Sequence, residues 1–133
     1  SSWYLSEPVP ISVEPWYTNG VISVSTDLQE NELLGRLMSI ETLFGRSARK
    51  RLGPRTLDLD LLAYGEIVCD EKGWPRLSLP HPRLQKRNFV IVPLAEILPS
   101  WRHPVSGEMA CDLARNLHSN QKIVKLDPQA LEI

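Results

Sequence analysis

Two aspartates, Asp58 and Asp60, are separated by a single leucine in the segment GPRTLDLDLLAYG, which spans residues 53–65. Apolar residues alternate with the acids and glycines bound the segment, so the pattern predicts a β-strand over residues 56–64. Because successive side chains of a strand point to opposite faces, both carboxylates would share one face. The spacing indicates a Mg²⁺ site, since this ion binds one or two carboxylates together with substrate phosphates. The alternative is an edge strand with a solvated acidic face.

A basic segment precedes the acids and contains five of the 15 Lys and Arg residues of the chain: Arg46, Arg49, Lys50, Arg51 and Arg55. Guanidinium groups bind phosphate oxygens through paired hydrogen bonds. Together with a metal ion held by the acids, these cations indicate a polyphosphate site. The alternative is a solvated basic turn that partly balances the charge of the aspartates.

Glu41 falls within the apolar stripe of a helix predicted over residues 28–44. A carboxylate on a core-facing stripe needs a partner. Two roles stay open at this point. One is a buried ion pair with an arginine such as Arg55, and the other is a contact with the substrate or with the groups that bind it.

His81 lies between two prolines in LPHPRLQKRNF, residues 79–89, and the prolines hold its backbone extended. Cations follow it, so a phosphate or nucleotide contact competes with a purely structural histidine. Taken with the acids and the basic segment, the pattern indicates Mg²⁺-dependent phosphoryl or nucleotidyl transfer. The sequence has neither a Walker A loop nor a kinase Gly-rich loop, so an ATP site must be built differently.

The elements that must position these residues alternate along the chain. Helices are predicted over residues 28–44, 88–97 and 107–118, and strands over residues 1–5, 20–26, 56–64 and 122–126, with 67–69 pairing back on 56–64 and 7–19 forming an irregular loop. Thr26 or Asp27 would cap the first helix, Gly45 would end it, and Asn88 would cap the second. The order predicts an α+β fold, with helices on a small mixed sheet.

Length and composition limit the classes of protein. The 133 residues suit one domain, and 42% apolar with 23% charged residues is typical of a soluble protein. A net charge of −1 gives no field that would attract nucleic acid or anionic lipid. Cys69 and Cys111 are too few for a disulfide framework and are expected to be reduced. Since neither a membrane-spanning apolar run nor a signal-peptide pattern occurs, we expect a cytoplasmic location.

Several motifs in fixed order resemble the hydroxymethyldihydropterin pyrophosphokinases of folate synthesis. These are R-x-x-D-x-D, P-H-P, R-x-F and P-L-x-E-I within residues 55–97, preceded by SSWYLSEP, PWYTNG and IETLFGR. The resemblance covers nearly all of residues 1–110. It implies a ferredoxin-like α+β fold with a mixed, mainly antiparallel sheet. It also implies transfer of pyrophosphate from ATP to 6-hydroxymethyl-7,8-dihydropterin, with AMP as the second product.

The resemblance also implies roles for individual residues. Asp58 and Asp60 would bind two Mg²⁺ ions and form the catalytic group with Arg46 and Arg55, and Asp60 is a candidate for easing removal of the hydroxyl proton. The implied ATP-binding residues are Glu41, Arg49, Arg51, Leu61, Arg76, Ser78, His81 and Arg87. Tyr17, Asn19 and Phe89 would hold the pterin, whose flat ring suits stacking and whose amide edge suits an asparagine.

The sequence departs from the family pattern at several points. The usual first strand, Gly-Ser-Asn turn and long helix do not occur. We therefore expect residues 1–133 to be one N-terminally truncated domain. Either the chain is a fragment, or another chain or an altered pairing takes the place of that strand, and a fused folate-pathway domain would be a further partner. Leu52 replaces a common aromatic residue, Met38 replaces a polar one, and the basic segment is short, which leaves Arg49 and Arg51 interchangeable. The alternatives are another Mg²⁺-dependent nucleotidyltransferase, or a non-catalytic remnant that binds pterin or nucleotide.

Overall fold

The computed structural model describes residues 1–8, 12–45, 57–117 and 121–131. Contacts divide it into two units, one formed by Ser1–Val24 with Pro82–Ile133 and the other by Ser25–His81. Helices and antiparallel strands occur in both units, which confirms the predicted α+β class. The single domain expected over residues 1–133 stays a prediction.

The first unit contains a three-stranded antiparallel sheet in the order β2-β1-β5, formed by Tyr17–Asn19, Tyr4–Ser6 and Ile123–Lys125. In the central strand β1, Tyr4 and Ser6 are buried and Leu5 is half-buried, the alternation that a two-sided strand requires. The strands predicted over residues 1–5 and 122–126 are confirmed with shifted ends. The loop predicted over residues 7–19 is wrong at its end, because pairing with β1 makes Tyr17–Asn19 a strand despite the prolines before it.

The helices of the first unit supply its core. A short 3₁₀ turn at Leu84–Lys86 leads into α2, Asn88–Ile97, and α3 spans Ala110–Arg115; a second 3₁₀ turn lies at Pro128–Leu131. Helix α2 packs against α3 and β1, and its apolar residues Val90, Ile91 and Leu94 are buried. Helix α2 ends at Ile97, as predicted.

Two details of these helices differ from the prediction. Asn88 does not cap α2. It is the first helical residue, is buried, and donates from Nδ2 to the Gln121 carbonyl at 2.7 Å, while Arg87 takes the N-cap position. Helix α3 begins at Ala110 rather than at 107, because Gly107 adopts a φ of 74° and Met109 pairs with Arg102 in a β-bridge. Positive φ at Gly107 makes a turn, which a helix cannot include.

Helix α1 of the second unit spans Glu30–Leu43, slightly inside the predicted 28–44. The Thr26 hydroxyl accepts a hydrogen bond from the Leu28 amide at 3.0 Å, so Thr26 orders the turn before the helix rather than its first turn. Gln29 is the N-cap residue, so Thr26 and Asp27 were wrong as caps. Gly45 has a φ of 90°, which confirms it as the residue that ends the helix.

The strands of the second unit form a hairpin of β3, Cys69–Glu71, and β4, Leu77–Leu79, with Asp70 opposite Ser78. The structure assigns no strand to the described part of 56–64, so the predicted strand there and its pairing with 67–69 are wrong. The strand predicted over 20–26 is also absent. Alternation sets which side a residue faces, but a strand also needs a neighbouring ladder, and among the described residues neither segment has one.

Two further sequence expectations can be compared with the described residues. Cys69 and Cys111 are both half-buried free thiols, as expected. In the part of the chain that the structure describes, every helix is too short or too polar to cross a membrane.

A pH-dependent contribution to stability is expected from Glu96, which accepts hydrogen bonds from the Tyr4 hydroxyl and from the amide and hydroxyl of Ser2. These bonds, led by the one from Tyr4, lower the pKa of Glu96 from 4.5 to about 2. A carboxyl group with a lowered pKa stabilises the folded state above pH 4.5, and that contribution is lost as the pH falls toward 2. Tyr4→Phe should therefore show a shallower loss of unfolding free energy between about pH 5 and pH 2 in urea titrations.

Tyr4 itself contributes to stability in a way that is lost at alkaline rather than at acid pH. Burial, and then the bond to Glu96, raise the pKa of Tyr4 to about 12, so stability from this group is present below pH 10 and is lost as the pH rises toward 12. Tyr17→Phe is the matched control, because Tyr17 lies on the neighbouring strand and is 54% exposed. If Tyr4→Phe lost unfolding free energy between about pH 5 and pH 2 as steeply as the parent, the hydrogen bond from Tyr4 would not be what lowers the pKa of Glu96.

Candidate functional site

The Asp58–Asp60 pair lies in a segment that alternates in exposure. Asp58 and Asp60 are exposed, whereas Leu57, Leu59 and Leu61 are half-buried. Both acids therefore lie on the same side of the segment, as the sequence pattern predicts, and that side is exposed, even though no strand is assigned there. Because they are exposed, neither carboxylate carries the cost of burying a charge.

Hydrogen bonds from outside the segment hold its backbone. The Leu59 amide donates to Glu41 Oε2 at 2.9 Å, and the His81 amide donates to the Leu62 carbonyl at 2.7 Å. Further along, the Tyr64 hydroxyl donates to the Leu28 carbonyl at 2.6 Å. The structure thus brings two predicted site residues, Glu41 and His81, to the segment that carries the acids.

Glu41 has a partner that the sequence did not indicate. The sequence left open an ion pair with an arginine such as Arg55, which lies outside the described residues, and a substrate contact; both stay predictions, and the structure adds a hydrogen bond that Glu41 accepts from a backbone amide. Glu41 is 5% exposed and lies in α1, so the carboxylate reaches the acid-bearing segment from a helix. In a sheet, the backbone carbonyl of a neighbouring strand would accept the hydrogen bond from such an amide. Here the Glu41 carboxylate is the acceptor instead.

The hairpin carries the residues expected near adenine. Ser78 is half-buried on β4, and the exposed Arg76 precedes that strand. Arg76 donates from Nε and Nη2 to the Asp70 carboxylate at 2.9–3.1 Å, so its guanidinium is already oriented by the facing strand. Leu61 is half-buried in the acid-bearing segment.

The residues expected to hold the pterin lie in the first unit. Tyr17 and Asn19 are two residues apart on β2 and so share a face. Asn19 Nδ2 donates to the Ser6 hydroxyl at 2.6 Å, and Ser6 is only 1% exposed. At the start of α2 the Arg87 guanidinium lies 5.4 Å from the centre of the Phe89 ring. Ser6 was missed from the sequence; its signal is a small polar residue at a buried position of a strand.

The remaining predicted residues cannot be placed. Arg46, Arg49, Arg51 and Arg55 lie outside the described residues. Their roles in phosphate binding stay predictions from the sequence.

The donor set fits Mg²⁺. Hard oxygen ligands suit this ion, which takes one or two carboxylates and completes its shell with phosphate oxygens and water. Asp58 and Asp60 supply such a pair on one exposed side. In the described ranges, no group of three or more His, Cys, Asp or Glu side chains has the geometry of a metal site.

The fold and the acid pair define an α+β protein with an exposed carboxylate pair that is held in place from a helix. The family model described as 7,8-dihydro-6-hydroxymethylpterin-pyrophosphokinase matches residues 1–99, and the chain belongs to that family. The ferredoxin-like fold of the family falls in the α+β class that the structure shows.

Relatives of the chain carry matching names. A 2-amino-4-hydroxy-6-hydroxymethyldihydropteridine pyrophosphokinase of Synechocystis sp. is 45% identical over 113 residues, which cover 85% of this chain and 56% of that protein. The Pseudomonas aeruginosa protein of the same name is 43% identical over 104 residues, 78% of this chain and 62% of that protein. A folate synthesis bifunctional protein of Arabidopsis thaliana is 39% identical over 100 residues, covering 75% of this chain and 18% of that protein. The chain spans little more than half the length of the two bacterial relatives.

Proposed function

We propose that the chain transfers a pyrophosphoryl group from ATP to 6-hydroxymethyl-7,8-dihydropterin. The hydroxymethyl oxygen attacks the β-phosphorus, the bond between that phosphorus and the oxygen bridging to the α-phosphorus breaks, AMP leaves, and the hydroxyl proton is lost. The observation that carries the proposal is the exposed Asp58–Asp60 pair, held by Glu41, in a chain of the pyrophosphokinase family. We place it in the cytoplasm as one domain, residues 1–133.

The acids and cations divide the work on ATP. When bound, two Mg²⁺ ions would supply positive charge that stabilises the negative charge developing on phosphate oxygens. Asp58 and Asp60 would hold these ions, and Asp60 would ease loss of the hydroxyl proton. The phosphates would be bound by Arg46, Arg49, Arg51, Arg55, His81 and Arg87, and the adenine side would be lined by Leu61, Arg76 and Ser78. Positioned charge of this kind is the main source of catalysis in phosphoryl transfer.

The pterin would lie on residues of the first unit. The bond from Asn19 to Ser6 orients the amide, so that its remaining hydrogen-bonding groups point in a fixed direction. A pterin edge presents adjacent donors and acceptors, which an oriented amide can match. Tyr17 and Phe89 would provide apolar ring surface for stacking.

A second candidate function is binding of pterin or nucleotide without turnover. It is favoured by the lack of strand pairing at residues 20–26 and 57–64 in the described part of the chain. A site whose supporting strands are unpaired keeps its side chains but loses the rigidity that catalysis needs. Another nucleotidyltransferase is the third candidate, and it would not bind a pterin.

One assay separates these functions. The purified chain is incubated with ATP, Mg²⁺ and 6-hydroxymethyl-7,8-dihydropterin, and the nucleotides are separated by ion-exchange chromatography. We expect AMP and the pterin diphosphate in equal amounts, and neither product when Mg²⁺ is chelated. Release of ADP would contradict pyrophosphoryl transfer. Pterin binding without AMP would identify a non-catalytic protein.

A further inference from the structure

The one buried side chain of α1 belongs to Glu41. All fourteen residues of α1 are described, and Glu41 alone is classed as buried, with 5% of its surface exposed, while Leu33, Leu34 and Leu37 are half-buried. A carboxylate is among the costliest side chains to remove from water. Core packing would therefore favour a leucine at this position. The burial of an acid points to a task that an apolar residue could not perform.

A hydrogen bond to Glu41 indicates what that task is. Oε2 of Glu41 accepts the amide hydrogen of Leu59 at 2.9 Å, and Leu59 is the residue between Asp58 and Asp60. Because the peptide group is planar, a bond to the Leu59 nitrogen fixes the plane that joins Asp58 to Leu59. The side chain of Asp58 is attached at one end of that plane, whereas Asp60 follows one peptide group further along the segment. The contact therefore restrains Asp58 directly, and Asp60 through the position of Leu59.

We infer that Glu41 is a positioning residue for the acid pair and acts on Mg²⁺ binding through the Leu59 amide. The inference rests on the proposed function, and it differs from the sequence-based expectation that Glu41 contacts ATP. A charged acceptor forms a shorter and stronger bond to an amide than a neutral one. Groups that orient metal ligands without touching the metal commonly change metal affinity by about ten- to hundredfold when they are removed.

The test separates the hydrogen bond from the charge. Glu41→Ala removes both, whereas Glu41→Gln keeps an acceptor oxygen at the same distance along the side chain. Glu32→Ala, at an exposed position of the same helix, is the matched control. Two quantities are measured on the full chain: the hydrogen-exchange rate of the Leu59 amide without ligand, and the Mg²⁺ concentration that half-saturates binding of a non-hydrolysable ATP analogue.

We expect Glu41→Ala to exchange its Leu59 amide faster and to need about tenfold more Mg²⁺ for half-saturation. Binding of the analogue without Mg²⁺ should change less than about twofold, since Glu41 does not touch the nucleotide in this scheme. Glu41→Gln should keep the Leu59 amide protected from exchange. Its Mg²⁺ concentration for half-saturation should stay within about threefold of that of the parent. Glu32→Ala should match the parent in both measurements.

The outcomes that overturn the inference differ from those that overturn the proposed function. If the parent chain binds the analogue without any Mg²⁺ dependence, both fail. If analogue binding by the parent depends on Mg²⁺ and Asp58→Ala loses that dependence, while Glu41→Ala needs the same Mg²⁺ concentration as the parent, the positioning role alone fails. Equal weakening with and without Mg²⁺ would make Glu41 a direct nucleotide contact. If circular dichroism shows Glu41→Ala to be unfolded, Glu41→Gln decides: a tenfold higher Mg²⁺ requirement with a protected Leu59 amide would reject positioning.

Discussion

Replacing Asp58 with alanine should lower the turnover number for AMP formation by on the order of a thousandfold at saturating Mg²⁺. Asp58 supplies half of the carboxylate pair on the exposed side of its segment, and removing it leaves one acid where the proposed reaction uses two. Asp60→Ala should show a similar loss. The measurement is steady-state AMP release over a Mg²⁺ titration, because weaker metal binding and slower turnover then appear as separate changes.

Two comparisons make the Asp58 result specific. Asp58→Asn keeps the size of the side chain and one oxygen but loses the charge, so it should be nearly as inactive as the alanine variant. Asp27→Ala is the control, because Asp27 is an exposed aspartate in the turn before α1. Binding of a dihydropterin analogue should stay within about threefold of the parent in each variant, since the pterin residues belong to the first unit. If Asp58→Ala retained a tenth of the parent turnover number, metal binding by the pair would not be the basis of catalysis.

Elements with strong local signals could be predicted from the sequence. Helix α2 lies where it was expected and ends at Ile97 as predicted, because the signals that favour a helix there lie within the segment itself. The end of α1 was also predicted, since Gly45 adopts a φ of 90° that favours glycine over other residues. In both cases the deciding interaction lies within a few residues of the position it controls.

Strands could not be predicted in the same way. The alternation at 20–26 is as clear as that of β5, yet Ile22 and Val24 expose 79% and 61% of their surfaces and no strand forms there. Pairing is decided by a partner that is distant in sequence, which the pattern of one segment cannot report. For 57–64 the same alternation still predicted correctly that Asp58 and Asp60 lie on one side, because the alternation of side chains along an extended backbone is set within the segment itself.

The candidate site shows the same division between local and distant information. The position of Glu41 on the apolar stripe predicted its burial, but one of its contacts is to a backbone amide, and every residue other than proline carries such a donor. The sequence therefore does not distinguish the backbone amide of Leu59 from those of its neighbours as a hydrogen-bond donor. Ser6 was missed for a related reason, since its contact with Asn19 depends on how β1 and β2 pair.

Ile91→Ala should reduce the free energy of unfolding by about 2–5 kcal/mol, the cost of removing most of a fully buried side chain and leaving a cavity. Ile91 is 0% exposed on α2, the helix that packs against both α3 and β1. Close packing around this residue leaves little room for neighbours to relax into the space. Urea denaturation should show a lower midpoint with an unchanged slope, because the native and unfolded states keep their exposed areas.

Ile22→Ala is the matched control for this prediction, because it deletes the same atoms from a residue that is 79% exposed. Its effect should lie within about 0.5 kcal/mol of zero. The contrast tests whether α2 is the centre of the core, since the two substitutions delete the same atoms, in one case from a fully buried side chain and in the other from an exposed one. Equal losses at the two positions would mean that Ile22 is covered in solution by a partner, and the assignment of the core to α2, α3 and β1 would then be incomplete.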